Sequence, residues 1–349
     1  MKQTISDLSE RKGETGAKQK NKKAMKVGIT GVTGHVGFNV LRALYPEGHR
    51  IKVLVRNKTG LFKDYDIELV KGDITRKETL AAFCKDLDAV IHLAALISIG
   101  NDNYGKVYDA NVTGTENLVE ACKDAGVKRF VHFSSIHALE HKPYDEPMDE
   151  TRPLTQNKKI AYEYTKALAE QYVLKQNRPG FTTVVLNPTA IVGPYDYKPS
   201  FVGRFLIMVY KGVLPGLVPG GYNWVDVRDV AGAAVTALSK GKGGERYILS
   251  GQWQPLKTVA GIVCEAKGVK NKIPVLPLWL AKTGVPFLSA FSKITGKSPL
   301  YTNESLYILQ SGNRKIINAK ARKQLDFSPR PLHESVTGAI SWFKKMSYI

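Results

Sequence analysis

The run "KVGITGVTGHVG", residues 26–37, decides how this chain folds. Val27, Ile29 and Thr30 give its first five residues the character of a buried strand, and glycines follow at 31, 34 and 37, where a helix has to begin. Each glycine has its own reason. Gly31 allows the tight turn, Gly34 lets the backbone approach a pyrophosphate, and Gly37 lets the helix pack closely on the strand while its N-terminus faces the phosphates. A glycine triplet alone is weak evidence, and its place between strand and helix is what gives it weight.

Outward from that run, "IKVLV" (51–55), "IELV" (67–70), "AVIHLA" (89–94), "RFVHFS" (129–134) and "FTTVVL" (181–186) also read as strands. Between them, "VGFNVLRALYPEG", "TRKETLAAFCKDL", "YDANVTGTENLVEACKDAG" and "KIAYEYTKALAEQYVLKQ" read as helices, the first and third closing on a glycine. The alternation predicts an α/β chain with a doubly wound parallel sheet of the Rossmann type, which binds ligands at the carboxyl ends of its strands. After about residue 187 glycine and proline become frequent and the regularity fades. We therefore expect a mobile basic tail over 1–25, an NAD(P)-binding Rossmann domain over 26–187 and a smaller α/β substrate-binding lobe over 188–349, with 225–250 returning to the Rossmann core.

With 349 residues and 43% hydrophobic content, the chain can bury a large core. Its three cysteines, Cys84, Cys122 and Cys264, are far apart in sequence and form no Cys-x-x-Cys pair, so no disulfide framework or structural zinc site is expected, and a cytoplasmic setting fits. The net charge of +20 is spread along the chain without a nucleic-acid recognition motif, and we read it as solvation with some attraction for phosphate-bearing ligands. Residues 1–24 are polar and basic, without the apolar run of a secretory signal. No stretch reaches the roughly 20 apolar residues of a membrane span. The nearest, over 273–291, is broken by Pro274, Pro277, Lys282 and Pro286, which points to packing in the second lobe, with peripheral membrane contact left open.

The residue after the second strand chooses between cofactors. An acid there would bind the ribose 2′-hydroxyl of NAD, whereas an arginine accommodates the 2′-phosphate of NADP. Here Arg56 holds the place, favouring NADP and leaving NAD possible. Asp73, after the third strand, suits either the adenine amino group or a helix cap.

Eight landmarks then stand in a familiar order: "TGVTGHVG", "GDIT" (72–75), "HLAA" (92–95), "NVTGTENL" (111–118), "FSSI" (133–136), Tyr162 with Lys166, "NPTAIVGP" (187–194) and "DVRDVA" (226–231). The chain resembles the extended short-chain dehydrogenases/reductases of the epimerase/dehydratase superfamily. The resemblance implies cofactor contacts from Thr30, Gly31, Thr33, Gly34, His35, Val36, Gly37, Arg56, Asp73, Ile74, Leu93, Ala94, Ala95, Asn111, Tyr162, Lys166, Asn187 and Pro188. It also implies a catalytic trio of Ser135, Tyr162 and Lys166, with Ser134 as the alternative serine, and a Rossmann-mediated homodimer.

The chemistry of the trio stands on its own terms. Tyr162 and Lys166 share a helix face at i and i+4, Tyr164 is turned away, and the Lys166 ammonium is expected to lower the Tyr162 pKa from about 10 towards a usable proton donor. Ser135 would hydrogen-bond a substrate carbonyl oxygen, and Asn111 reads as helix-positioning more than catalytic. His92, His132 and His137 read as packed or surface residues, and no metal is assigned.

Nucleotide-sugar members of the family place an arginine-aspartate pair shortly before the "DVRDVA" position, where this chain has Tyr222 and Asn223. The sequence is closer in character to dihydroflavonol reductases and hydroxysteroid dehydrogenases, and Tyr195, Trp224 and Tyr301 would suit a small, largely uncharged substrate. NADPH-dependent reduction of a ketone or aldehyde is therefore the expected activity. A nucleotide-sugar epimerase or dehydratase, and a non-catalytic dinucleotide-binding regulator, are the other readings.

Overall fold

The computed structural model describes residues 24–57, 59–97, 104–280, 306, 309 and 312–349. Most of the basic N-terminal segment, residues 281–291 of the apolar stretch and Tyr301 lie outside the described residues. The chain order begins β1 (Lys26–Thr30), α1 (His35–Leu44), β2 (Arg50–Val55), β3 (Glu68–Lys71), α2 (Leu80–Cys84), β4 (Ala89–His92), α3 (Tyr104–Tyr108) and α4 (Gly114–Asp124). It continues with β5 (Arg129–Phe133), α5 (Ala161–Lys175), β6 (Thr182–Pro188), β7 (Ala190–Val192), α6 (Phe201–Lys211), β8 (Gly221–Asp226) and α7 (Val227–Lys240). The last elements are β9 (Glu245–Leu249), β10 (Gln252–Pro255), α8 (Leu256–Lys267), α9 (Ala319–Leu325) and α10 (Leu332–Lys345).

Seven strands form one sheet in the order β3-β2-β1-β4-β5-β6-β9, every neighbouring pair parallel. Helices cover both faces, so the central strands read as nearly continuous apolar runs, and all four residues of β4 are buried. The strand order reverses between β1 and β4, and their carboxyl ends part there to leave a crevice. A separate three-stranded sheet, β10-β8-β7, packs with α6, α8 and α10 around a second core that includes Phe205, Trp224, Val259 and Phe343. Trp224 donates its indole N–H to Gln254 O at 2.8 Å, and Tyr195 packs against Phe38 and Trp342 beneath the Arg42 guanidinium. Both aromatics thus serve packing, and neither lines the cleft, contrary to the substrate-binding role expected for them.

Several helix boundaries depart from expectation for local reasons. The run over 75–87 is α-helical only from Leu80 to Cys84, because a 3₁₀ turn precedes it and Asp86 adopts a left-handed φ of 61°. The run over 108–126 contains a π-turn at Asp109–Thr113, and Gly126 closes it at φ 72°. Cys84 and Cys122 are free thiols, brought to 3.7 Å by the packing of α2 on α4. At the lobe boundary, Asp226 caps α7 by accepting from Arg228 N at 2.7 Å, and Arg330 reaches Asp229 at 2.6 Å just before α10.

Candidate active site

A cleft of about 1620 Å³ opens over the carboxyl ends of the strands and runs from the glycine turn to the second lobe. At Gly31, φ is 71° and an added Cβ would stand 2.6 Å from Ala94 N, so only glycine fits. At Gly37 an added Cβ would stand 2.3 Å from Gly31 O, which makes close helix-strand contact the reason for that glycine. Gly34 is different. Its added Cβ would meet only Gly31 O, at 3.3 Å, and the turn around it lines the cleft as an open backbone cradle at the N-terminus of α1.

Thr30, Gly31, Thr33, Gly34, His35, Val36, Gly37, Arg56, Asp73, Ile74, Leu93, Ala94, Ala95 and Pro188 all line this cleft. Arg56 extends from the end of β2 with Asn57 beside it and Arg76 across the turn. Asp73 accepts from Thr75 N at 3.0 Å and Thr75 Oγ1 at 2.9 Å, so it caps its own turn while facing the cleft. Asn111 and Asn187 do not reach the cleft surface. Asn111 accepts from Leu96 N at 2.7 Å and donates to Leu96 O at 3.0 Å, while Asn187 donates to Ser135 O and to Glu170. Both amides hold the wall in place, so direct cofactor contact from them is not what this geometry offers.

Ser135, Tyr162 and Lys166 converge on the cleft floor from the end of β5 and the first turns of α5. The Ser135 and Tyr162 side chains both line the cleft floor, and Ser135 Oγ accepts from His137 N at 3.2 Å, capping the 3₁₀ turn Ile136–Ala138. The serine is thus both a structural cap and a group facing the tyrosine. The expected lowering of the Tyr162 pKa is absent. Burial raises it, the neighbouring Ser135 hydroxyl lowers it in part, and nearby Glu163 raises it further, while the Lys166 ammonium is committed to Phe133 O at 2.5 Å. Burial pulls Lys166 down to about 8, against an upward pull from Glu170 one helical turn on.

Glu170 was not legible as a site residue. It is fully buried beneath Lys166, pairs with Arg246 Nε of β9 at 2.8 Å and accepts from Asn187 at 2.7 Å. Its spacing of four from Lys166 was a usable signal, but its partners lie far along the sequence. His92 is a neutral core residue: Thr30 Oγ1 is 2.7 Å from its Nδ1 and Thr115 Oγ1 is 3.0 Å from its Nε2. Thr115 spends its proton on Asn111 O, so the network fixes His92 as the Nε2–H tautomer, and burial lowers its pKa to about 3. His132 is buried beside it. His137 is different, because the structure brings it together with His141 and Glu163.

Among the described residues, the end of the cleft nearest the second lobe is lined by Phe201, Val202, Phe205, Tyr222, Leu256 and Leu309, with Asp196, Lys198 and Ser200 beside them. Asn223 is turned inward to Thr189 and Gly251 N, so β8 presents no arginine to this space.

The model of the NAD dependent epimerase/dehydratase family matches residues 27–250, which spans the glycine cradle, the Ser-Tyr-Lys cluster and β9. The chain belongs to that family. Its seven-stranded parallel sheet is the family's Rossmann-like fold, and it is an enzyme of a family whose members act with NAD. The chain is 28% identical over 326 residues to the sterol demethylase protein B of Methylococcus capsulatus, covering 92% of this chain and 99% of the relative. A putative dihydroflavonol 4-reductase of Synechocystis is 29% identical over 329 residues, covering 92% and 95%. The crystal structure of gox2253 superposes with a TM-score of 0.79 at 32% identity, covering 93% of this chain and 99% of that one. Among the described residues, no helix of this family member is long and apolar enough to cross a membrane.

Proposed function

We propose that the protein is an NADPH-dependent oxidoreductase that reduces a ketone or aldehyde of a small, largely uncharged substrate. The observation that carries the reading is the convergence of Ser135, Tyr162 and Lys166 on the floor of a cleft whose far end carries Phe201, Val202, Phe205, Leu256 and Leu309, next to a glycine cradle suited to a pyrophosphate. Bound NADPH supplies the hydride. Tyr162 gives its proton to the carbonyl oxygen, and its raised pKa keeps the phenol protonated at neutral pH, the form that reduction requires. Ser135 orients that oxygen, and Lys166 is placed to hold the nicotinamide ribose once its ammonium leaves Phe133 O. Arg56 and Arg76 offer positive charge where a 2′-phosphate would sit.

The relatives lend direction, since one is named for sterol demethylation and another for dihydroflavonol reduction. The epimerase reading has less support, because Tyr222 and Asn223 stand where an arginine would grip a sugar diphosphate. The test is NADPH consumption across a panel of ketones, aldehydes and sterol-like carbonyls by wild type and Tyr162→Phe. Turnover in wild type that falls by about 10²-fold or more in the variant, with NADPH affinity retained, supports the reading. Equal turnover in both removes Tyr162 from the mechanism, and stoichiometric, non-exchanging NAD in the purified protein favours an epimerase.

A further inference from the structure

Beside Ser135 and Tyr162 lies a second cluster that carbonyl reduction does not use. His137 sits in the 3₁₀ turn after β5, His141 follows four residues later, and Glu163 lies in the first turn of α5, directly after Tyr162. His137 Nδ1 and His141 Nε2 are 3.3 Å apart, and Glu163 Oε1 lies 3.5 Å from the first and 3.6 Å from the second. Charge-assisted N–H···O bonds run about 2.7–2.9 Å, so these carboxylate contacts are long for an ion pair. A tetrahedral zinc ion with bonds of about 2.0–2.1 Å holds its ligand atoms about 3.3–3.4 Å apart. The three donor atoms already form one face of such a tetrahedron.

Burial points the same way. The Glu163 side chain is only 2% exposed, and its Oε1 is buried without a hydrogen-bond partner among the described residues while it faces the two imidazole nitrogens. A divalent cation at the centre of the three donor atoms satisfies that oxygen. A cavity of about 30 Å³, bordered by His137, His141, Asn223 and Asn313, adjoins the cluster and has room for one water-sized ligand.

We propose that His137, His141 and Glu163 bind a divalent transition-metal ion of the zinc class, with its fourth coordination position opening on that cavity. Two imidazoles and one carboxylate suit zinc and its neighbours, whereas calcium and magnesium prefer oxygen donors throughout. The ion joins the turn that carries Ser135 to the helix that carries Tyr162, and so fixes the spacing of those two hydroxyls. Thr189, Ala190 and Tyr222 line both the cavity and the main cleft, which places the open position at the border of the end nearest the second lobe.

The experiment uses the full-length protein, stripped with a chelator and dialysed. It is titrated with Zn²⁺ against a chromogenic competitor, and with Co²⁺, whose visible absorption reports tetrahedral coordination. One ion per chain with a tetrahedral cobalt spectrum is expected, with affinity weakened roughly tenfold or more in His141→Ala and in His141→Gln. Circular dichroism and NADPH titration establish that each variant is folded, and His137→Gln serves if the His141 variants are not. Equal affinity in folded variants means an adventitious ion elsewhere on the chain. No binding at micromolar Zn²⁺ means a hydrogen-bonded His-His-Glu cluster only. Either result overturns the proposal.

Discussion

Lys166 is held at 4% exposure, and burial brings its ammonium down to about 8. An unfolded lysine titrates near 10.4, so at pH 7 the charged form is less comfortable in the folded chain, a cost on the order of 3 kcal/mol. That cost is present in full below pH 8 and fades as pH rises through 8 towards 10. Lys166→Met should therefore be inactive yet melt at a higher temperature than wild type at pH 7, with the gap narrowing towards pH 10. Thermal melts across that range check it, and a lower melting temperature throughout would mean that the hydrogen bond to Phe133 O outweighs the burial. At this scale the sequence was informative where chemistry is local: Tyr162 and Lys166 share one turn of helix, and Ser135 ends a strand. It was silent where partners converge from afar, as Glu163 does on His137 and His141. The Tyr162 pKa was misread for a related reason, because spacing says that Lys166 is near but not that its ammonium is engaged by Phe133 O.

The junction of β1 and α1 was legible because every constraint on it lies within a dozen residues. Its glycines also separate by function. Gly37→Ala puts a methyl group 2.3 Å from Gly31 O and should cost about 1–3 kcal/mol of stability together with NADPH binding. Gly34→Ala meets only one atom, at 3.3 Å, so it should fold nearly as well as wild type and lose dinucleotide affinity alone. Urea unfolding and fluorescence titration of the two variants distinguish the roles. The second lobe was less readable, because β7, β8 and β10 are short and interleaved with elements that belong to the large sheet. Neither Tyr195 nor Trp224 could be placed from spacing, since both answer to packing partners in other elements.

For the molecule as a whole, the excess of positive charge can be tested where Arg56 would meet the proposed NADPH. Arg56→Ala should reduce the preference for NADPH over NADH by about tenfold with little change in kcat, measured as the ratio of kcat/KM values for the two cofactors. The sheet also carries a long-range dependence. Arg246 of β9 is the partner of buried Glu170, so Arg246→Ala strands that carboxylate and should cost about 3–5 kcal/mol, readable in urea unfolding. Glu170 in turn holds Asn187, which donates to the Ser135 carbonyl. During synthesis, Ser135, Tyr162 and Lys166 leave the ribosome well before residue 246 does. The nascent chain therefore carries the whole of the proposed proton-transfer group for a time without the strand that neutralises its foundation, and its completion waits on the ribosome reaching β9.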